Sequence, residues 1–115
     1  MKPPQYEEMD AGRERAIPDA FERVCGNLKK YHLVKIPPTV RPNGWVGPLP
    51  RSTFEVRDLA HETLVAQFFP NGNYDCHKDD FRPYFDRMVD IIELAGQKAY
   101  DRFMEEYSRL RERDS

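Results

Sequence analysis

Three places in this 115-residue chain gather side chains with the chemistry of a site. The first is Asn71-Gly72-Asn73-Tyr74-Asp75-Cys76-His77-Lys78-Asp79, where oxygen donors fall at the first, third, fifth and ninth positions of a calcium-loop spacing. Its sixth position is Cys76, where the tight turn needs glycine, and its twelfth is Arg82, where a bidentate glutamate belongs. A cation in the twelfth position repels the ion it should hold, so local turn bonds account better for the Asn and Asp side chains. The second place is the soft-donor set Cys25, His32, Cys76 and His77, the right inventory for tetrahedral zinc. Its spacing is poor: Cys25 and His32 stand two helical turns apart, and adjacent Cys76 and His77 rarely reach one ion together. The third is Asp58, His61 and Glu62, where Val65 replaces the second histidine that a zinc-protease helix requires. A single Asp-x-x-His is also too little for a carboxylate-bridged di-iron bundle. His61 projects between Arg57 and Val65 on a helical wheel, which reads as a core histidine held by a backbone or acid partner.

No glycine-rich phosphate loop, nucleophile elbow or nucleophile–base pair is present. The sequence therefore predicts a protein without catalytic residues, metal or cofactor.

The elements that would position any site follow from periodicity. The first residues are polar and proline-led and read as an N-terminal arm over 1–17, with a weak helical pattern ending at Pro18. Pro18 suits a first helical turn, with Asp19 and Glu22 at the positive end of its dipole. Phe21, Val24, Cys25, Leu28, Tyr31 and His32 then recur at three- and four-residue spacing, predicting a short helix over 18–32. Across 33–51, Pro37, Pro38, Pro42, Pro48 and Pro50 forbid helix and interrupt a strand ladder, while Leu33, Val34, Ile36, Val40, Trp45, Val46 and Leu49 keep the segment apolar. It reads as an extended ribbon. Ser52 and Glu55 have capping-box spacing and introduce a helix over 52–69, stopped by Pro70, Asn71 and Gly72. A last helix over 80–112 starts from Asp79 or Asp80 with Pro83 in its first turn. Its seam is Phe81, Tyr84, Phe85, Met88, Ile91, Ile92, Ala95, Ala99, Phe103, Tyr107 and Leu110. The expected fold is all-α: a long C-terminal helix in a helical hairpin, buttressed by a shorter N-terminal helix. Residues 18–115 form one small domain.

Composition limits the function class. The chain is 39% hydrophobic and 33% charged, with net charge −2 and 10 prolines. No run approaches the roughly 20 apolar residues of a membrane span. The first residues lack the apolar stretch of a signal peptide, and two cysteines without framework spacing do not suggest a secreted disulfide module. An intracellular setting, cytoplasmic or organellar, is expected. Residues 23–54 carry Arg23, Lys29, Lys30, Lys35, Arg41 and Arg51 with no acid, beside acidic flanks. Such a stretch either pairs within the molecule or meets an acidic partner.

The last helix carries more apolar seam than two short helices can cover. The expected function is that of a non-catalytic accessory subunit or adaptor in a larger protein assembly. Hetero-assembly is favoured over a homo-oligomer, with Trp45, Val46, Leu49, Arg41, Arg51, Phe103, Tyr107 and Leu110 as contacts. The rival expectation is a nucleic-acid-binding, regulatory or inhibitor protein that uses the basic 23–54 stretch.

Overall fold

The chain folds as α+β. A computed structural model describes residues 4–38 and 51–114, with side chains described over 7–38 and 51–110. In chain order the elements are α1 (Pro4–Cys25), β1 (Tyr31–Ile36), β2 (Thr53–Asp58), β3 (Leu64–Phe68), β4 (Tyr74–Cys76), a short 3₁₀ turn (Asp79–Phe81) and α2 (Arg82–Asp114). The strands form one antiparallel meander in the order β1-β2-β3-β4. This overturns the all-α expectation and its helical hairpin: the segment expected as a helix over 52–69 is the β2–β3 hairpin.

The strands follow from alternation and from turn chemistry. Along Thr53-Phe-Glu-Val-Arg-Asp58, Phe54 and Val56 point to the core and their neighbours point away. Asp58 Oδ1 accepts hydrogen bonds from Ala60 N at 2.6 Å and His61 N at 3.0 Å. Those bonds favour the Asp58 carboxylate, so its carboxyl ionises below its ordinary range. The loop closes through Asp58 N to Thr63 O at 2.9 Å, with Glu62 at φ 55°. His61, expected in a core, is exposed in this turn.

Register shifts between Val56 and Arg57, where Val56 faces Ala66 and Arg57 faces Leu64. Val65 is the extra residue of a bulge, so consecutive Val65 and Ala66 are both buried. The second hairpin turns on Phe69-Pro70-Asn71-Gly72-Asn73. Gly72 N donates to Phe69 O at 3.1 Å, Phe69 N to Asn73 O at 2.9 Å, and Gly72 takes φ 99°.

Helix α1 begins at Pro4, so residues expected as an arm are its first turns, and Pro18 lies inside it. Proline there forfeits a helical hydrogen bond, roughly a 3 kcal/mol cost. Pro18 is exposed, and burial of Ile17, Ala20, Val24 and Cys25 on the other side of the helix outweighs that loss. The helix ends at Cys25, where Gly26 and the left-handed Lys29 (φ 56°) turn the chain into β1.

Helix α2 occupies the place expected of the last helix, with Pro83 in its first turn. Both helices contribute to one core with one face of the sheet: Ile17, Val24 and Cys25 from α1, Phe54, Val56, Val65 and Phe68 from the strands, and Phe81, Phe85, Met88 and Ile92 from the last third of the fold. Phe68 packs on Phe85 with ring centroids 5.4 Å apart, and Tyr31 meets Phe81 edge-on at 5.0 Å.

Candidate interaction surface

The two helices run antiparallel and touch where their residues are smallest. A methyl group added at Gly12 would stand 2.8 Å from Ala99 Cβ and 2.9 Å from Ala95 O; one added at Gly96 would stand 3.3 Å from Met9 O. Backbones this close leave no room for a larger side chain at the crossing. The small residues Ala95, Gly96 and Ala99 of α2 thus admit the chain's own α1.

Next to the crossing lies a polar knot. Arg13, with only 12% of its side chain exposed, donates to Asp10 Oδ1 at 3.0 Å, to Glu93 Oε2 at 3.3 Å and to Pro70 O at 3.5 Å. Its Nε also lies 3.2 Å from Glu93 Oε1, without hydrogen-bond alignment. Tyr74 donates its hydroxyl to Glu93 Oε1 at 2.5 Å. Burial, then that bond to Glu93, holds the Tyr74 phenol far above its ordinary range. The knot ties both helices to the β3–β4 turn, with one guanidinium standing between two carboxylates.

A second knot fastens the chain where it re-enters at β2. Arg51 Nη2 donates to Glu7 O at 3.2 Å and Glu7 Oε2 at 3.1 Å, and Arg51 Nη1 stands 3.7 Å from Glu14 Oε1. Ser52 N donates to Glu14 Oε2 at 2.8 Å, the place where capping-box spacing expected Glu55. Glu55 instead accepts from Arg57 at 2.7 Å.

The residues expected to bind a partner fall into three groups. Arg41, Trp45, Val46 and Leu49 lie outside the described residues. Arg51 is half-buried and pairs with Glu7 and Glu14 of its own chain. Phe103 is half-buried and stacks on Tyr107 at 6.3 Å, while Tyr107 is 47% and Leu110 59% exposed. These last three continue the α2 seam. α2 has 33 residues and α1 has 22. With Gly12 set against Ala95–Ala99, α1 runs out opposite about residue 106. The last two turns of α2 project past it, and the radius of gyration, 16.5 Å, exceeds the roughly 13 Å of a compact chain of this length.

The candidate chemical centres are dispersed. Asn71 Oδ1 accepts from Asn73 N at 3.1 Å inside the hairpin turn, and Asp75 lies beyond it in β4. Cys25 is buried, Cys76 is half-buried, and both are free thiols. His32 pairs with Glu62 at 3.0 Å and His77 with Gln67 at 3.3 Å. Among the described residues, no group of three or more His, Cys, Asp or Glu is placed to hold a metal ion. Nor is any described helix long and apolar enough to cross a membrane.

The expected basic stretch does not form one patch. Arg23 pairs with Asp19 at 3.0 Å, Arg51 is held inside, and Lys29, Lys30 and Lys35 are exposed around and along β1. The cations that do gather were not singled out in the sequence: Arg15 from α1 and Lys98 and Arg102 from α2, around one groove. The i, i+4 spacing of Lys98 and Arg102 was the available signal.

No protein-family model, curated protein or solved structure matches the chain.

Proposed function

We propose that the protein is a non-catalytic accessory subunit or adaptor that docks on a different protein within an assembly, using the projecting end of α2. The observation that carries this reading is the seam itself. Its apolar residues are buried from Phe81 to Ile92, half-buried at Phe103, and exposed at Tyr107 and Leu110 once α1 has ended. Exposed apolar side chains that prolong a packed helix face give a partner helix a ready-made register. The strongly displaced titrations support the same reading, because the raised Cys25 and Tyr74 follow mainly from burial within the core and the Arg13 knot. An intracellular setting belongs to the proposal and is supported by the two unpaired thiols. The nucleic-acid alternative has less support, since Arg23 and Arg51 are already neutralised by Asp19, Glu7 and Glu14.

The test is a native-mass measurement on protein purified from its own cells, with the wild type compared against a Tyr107→Glu, Leu110→Glu double variant. The proposal expects a complex with the wild type that the variant loses, while far-UV circular dichroism and the melting temperature stay unchanged. A wild type that is monomeric at its working concentration, or a variant that keeps the complex, refutes it.

A further inference from the structure

On the flank of the α1–α2 crossing, Gly12, Ala16, Ala95 and Ala99 form the floor of a shallow groove of about 260 Å³, with Arg15, Lys98, Arg102 and Asp19 around its margins. A smaller extension of about 150 Å³ continues past Phe103 to Glu8 and Glu106. No strand residue lines either part. Asp19 is already bonded to Arg23, whereas Arg15, Lys98 and Arg102 make no ion pair or hydrogen bond among the described residues. Arg13, by contrast, which points between the helices, is paired with Asp10 and Glu93. Three cations without an ion pair thus stand around one small-residue floor, and Glu8 and Glu106 lie at its far end.

We infer that this groove is a docking site for an acidic amphipathic helix of a partner protein, seated against Gly12, Ala16, Ala95 and Ala99 and paired with Arg15, Lys98 and Arg102. The floor explains the shape: alanine and glycine let a third helix approach closely across the crossing. The margins explain the charge: carboxylates on one side of that helix meet three cations that have no partner at home. The far end of the groove, at Glu8 and Glu106, sets polarity, since it favours a basic residue one or two turns beyond the carboxylates.

A second copy fits less well. Among the described side chains of α2, the exposed acidic residues are Asp86, Asp90, Asp101, Glu105 and Glu106. At 100° per residue all but Glu106 fall on the side of the helix away from Ala95 and Ala99, and Glu106 sits at the groove's own far end, one carboxylate against three cations. One copy's acidic side could enter another's groove only head to tail, a contact that does not close in a twofold dimer. The occupant is therefore a different chain. This inference rests on the adaptor reading and names what its partner presents. It uses a surface separate from Tyr107 and Leu110, so the two are tested separately.

The test uses isotope-labelled full-length protein and three probes. The first is a cross-linked helical peptide of about five turns with an alanine seam flanked by glutamates. The second is the same peptide with lysines for the glutamates, and the third is a single-stranded oligonucleotide of matching charge. The inference expects the glutamate peptide to shift the amide resonances of Gly12, Ala16, Ala95 and Ala99. It expects Arg15→Glu with Arg102→Glu to weaken that peptide by about tenfold and to admit the lysine peptide. Lys35→Glu, an exposed change on β1, should leave binding unaltered. Folding of the variants is read from the unchanged resonances of Phe68 and Met88. Absence of binding, shifts confined to other surfaces, or equal binding of both peptides overturns the inference. Tighter binding of the oligonucleotide at the same amides also overturns it, and reassigns the groove to phosphate.

Discussion

Glycine inside a helix ordinarily weakens it, so Gly12→Ala should stabilise α1 by about 1 kcal/mol if nothing lay opposite. The structure predicts the reverse sign. The new Cβ would lie 2.8 Å from Ala99 Cβ and 2.9 Å from Ala95 O, both well inside contact distance. Neither neighbour can rotate aside, because one is a methyl group on a helix and the other is backbone. The helices must then separate, and overpacking of this kind costs roughly 1–3 kcal/mol. Set against the propensity gain, the net is a loss of about 1 kcal/mol, or roughly 5 °C in melting temperature for a chain of this size. Urea and thermal melts followed by far-UV circular dichroism measure it. Ala99→Gly in the same molecule should recover part of the loss, with a coupling of about 1 kcal/mol in a double-mutant cycle. Gly96→Ala should cost less, since the atom it meets at 2.9 Å is Arg13 Cγ on a flexible side chain. A Gly12→Ala protein as stable as the wild type, or more so, refutes the close crossing on which the groove also depends.

Three further outcomes can be measured on the isolated protein. Arg13→Met removes the charge-assisted hydrogen bonds to Asp10, which is 6% exposed, and to Glu93, so urea stability should fall by roughly 2 kcal/mol, while Tyr74→Phe removes a single hydrogen bond and should cost about 1 kcal/mol. Burial pushes the Cys25 thiol up from 9.0 to about 11, with Arg87 opposing weakly. The unfolded chain releases that proton first, so stability is complete below about pH 9 and declines through pH 11, and the Tyr74 phenol adds a loss of the same sign above pH 10. Cys25→Ala should flatten the decline between pH 9 and 10 whatever its effect on stability at neutral pH. A colorimetric thiol titration should label half-buried Cys76 quickly and Cys25 only on unfolding; equal rates would place Cys25 outside the core.

The contrast between α2 and the sheet shows which physical signals a single sequence carries. α2 was legible because its apolar seam repeats over many turns and Pro83 marks its start, so local pattern and burial agree. β3 was not, because its bulge buries Val65 and Ala66 in succession and breaks the two-residue alternation that identifies a strand. With that alternation lost, Phe54, Val56, Val65 and Phe68 fall on one helical arc as readily as on one sheet face. Two signals for the sheet were still present: the strict alternation of Thr53–Asp58, and Asn71-Gly72 between apolar runs, a stronger mark of a hairpin than of a helix end. Pro18 misled in the other direction. Its place in the sequence matches a helix start, yet a proline on the solvent side of a well-packed helix costs less than the burial around it returns.

The candidate surface was legible only in part, and the reason lies in how charges find partners. Counting by segment made 23–54 the basic region, but Arg51 belongs electrically to Glu7 and Glu14, far back along the chain, and Arg23 to Asp19. The cations left over, Arg15, Lys98 and Arg102, come from stretches that count as acidic. Segment charge therefore predicts internal complementarity better than it predicts a binding face, since opposite blocks in one small domain neutralise each other on folding. What remains for a partner is the residue of that pairing. Salt offers a way to separate the two kinds of charge. The half-buried Arg51 pairs sit partly out of solvent and should resist ionic strength, whereas attraction to the groove acts through water and should fade over a Debye length of about 10 Å at 0.1 M salt. Melting temperature nearly constant with salt, together with steadily weakening binding of the glutamate peptide, would show the division. Binding insensitive to salt would mean that the small-residue floor alone recognises the helix, and that the three cations are bystanders.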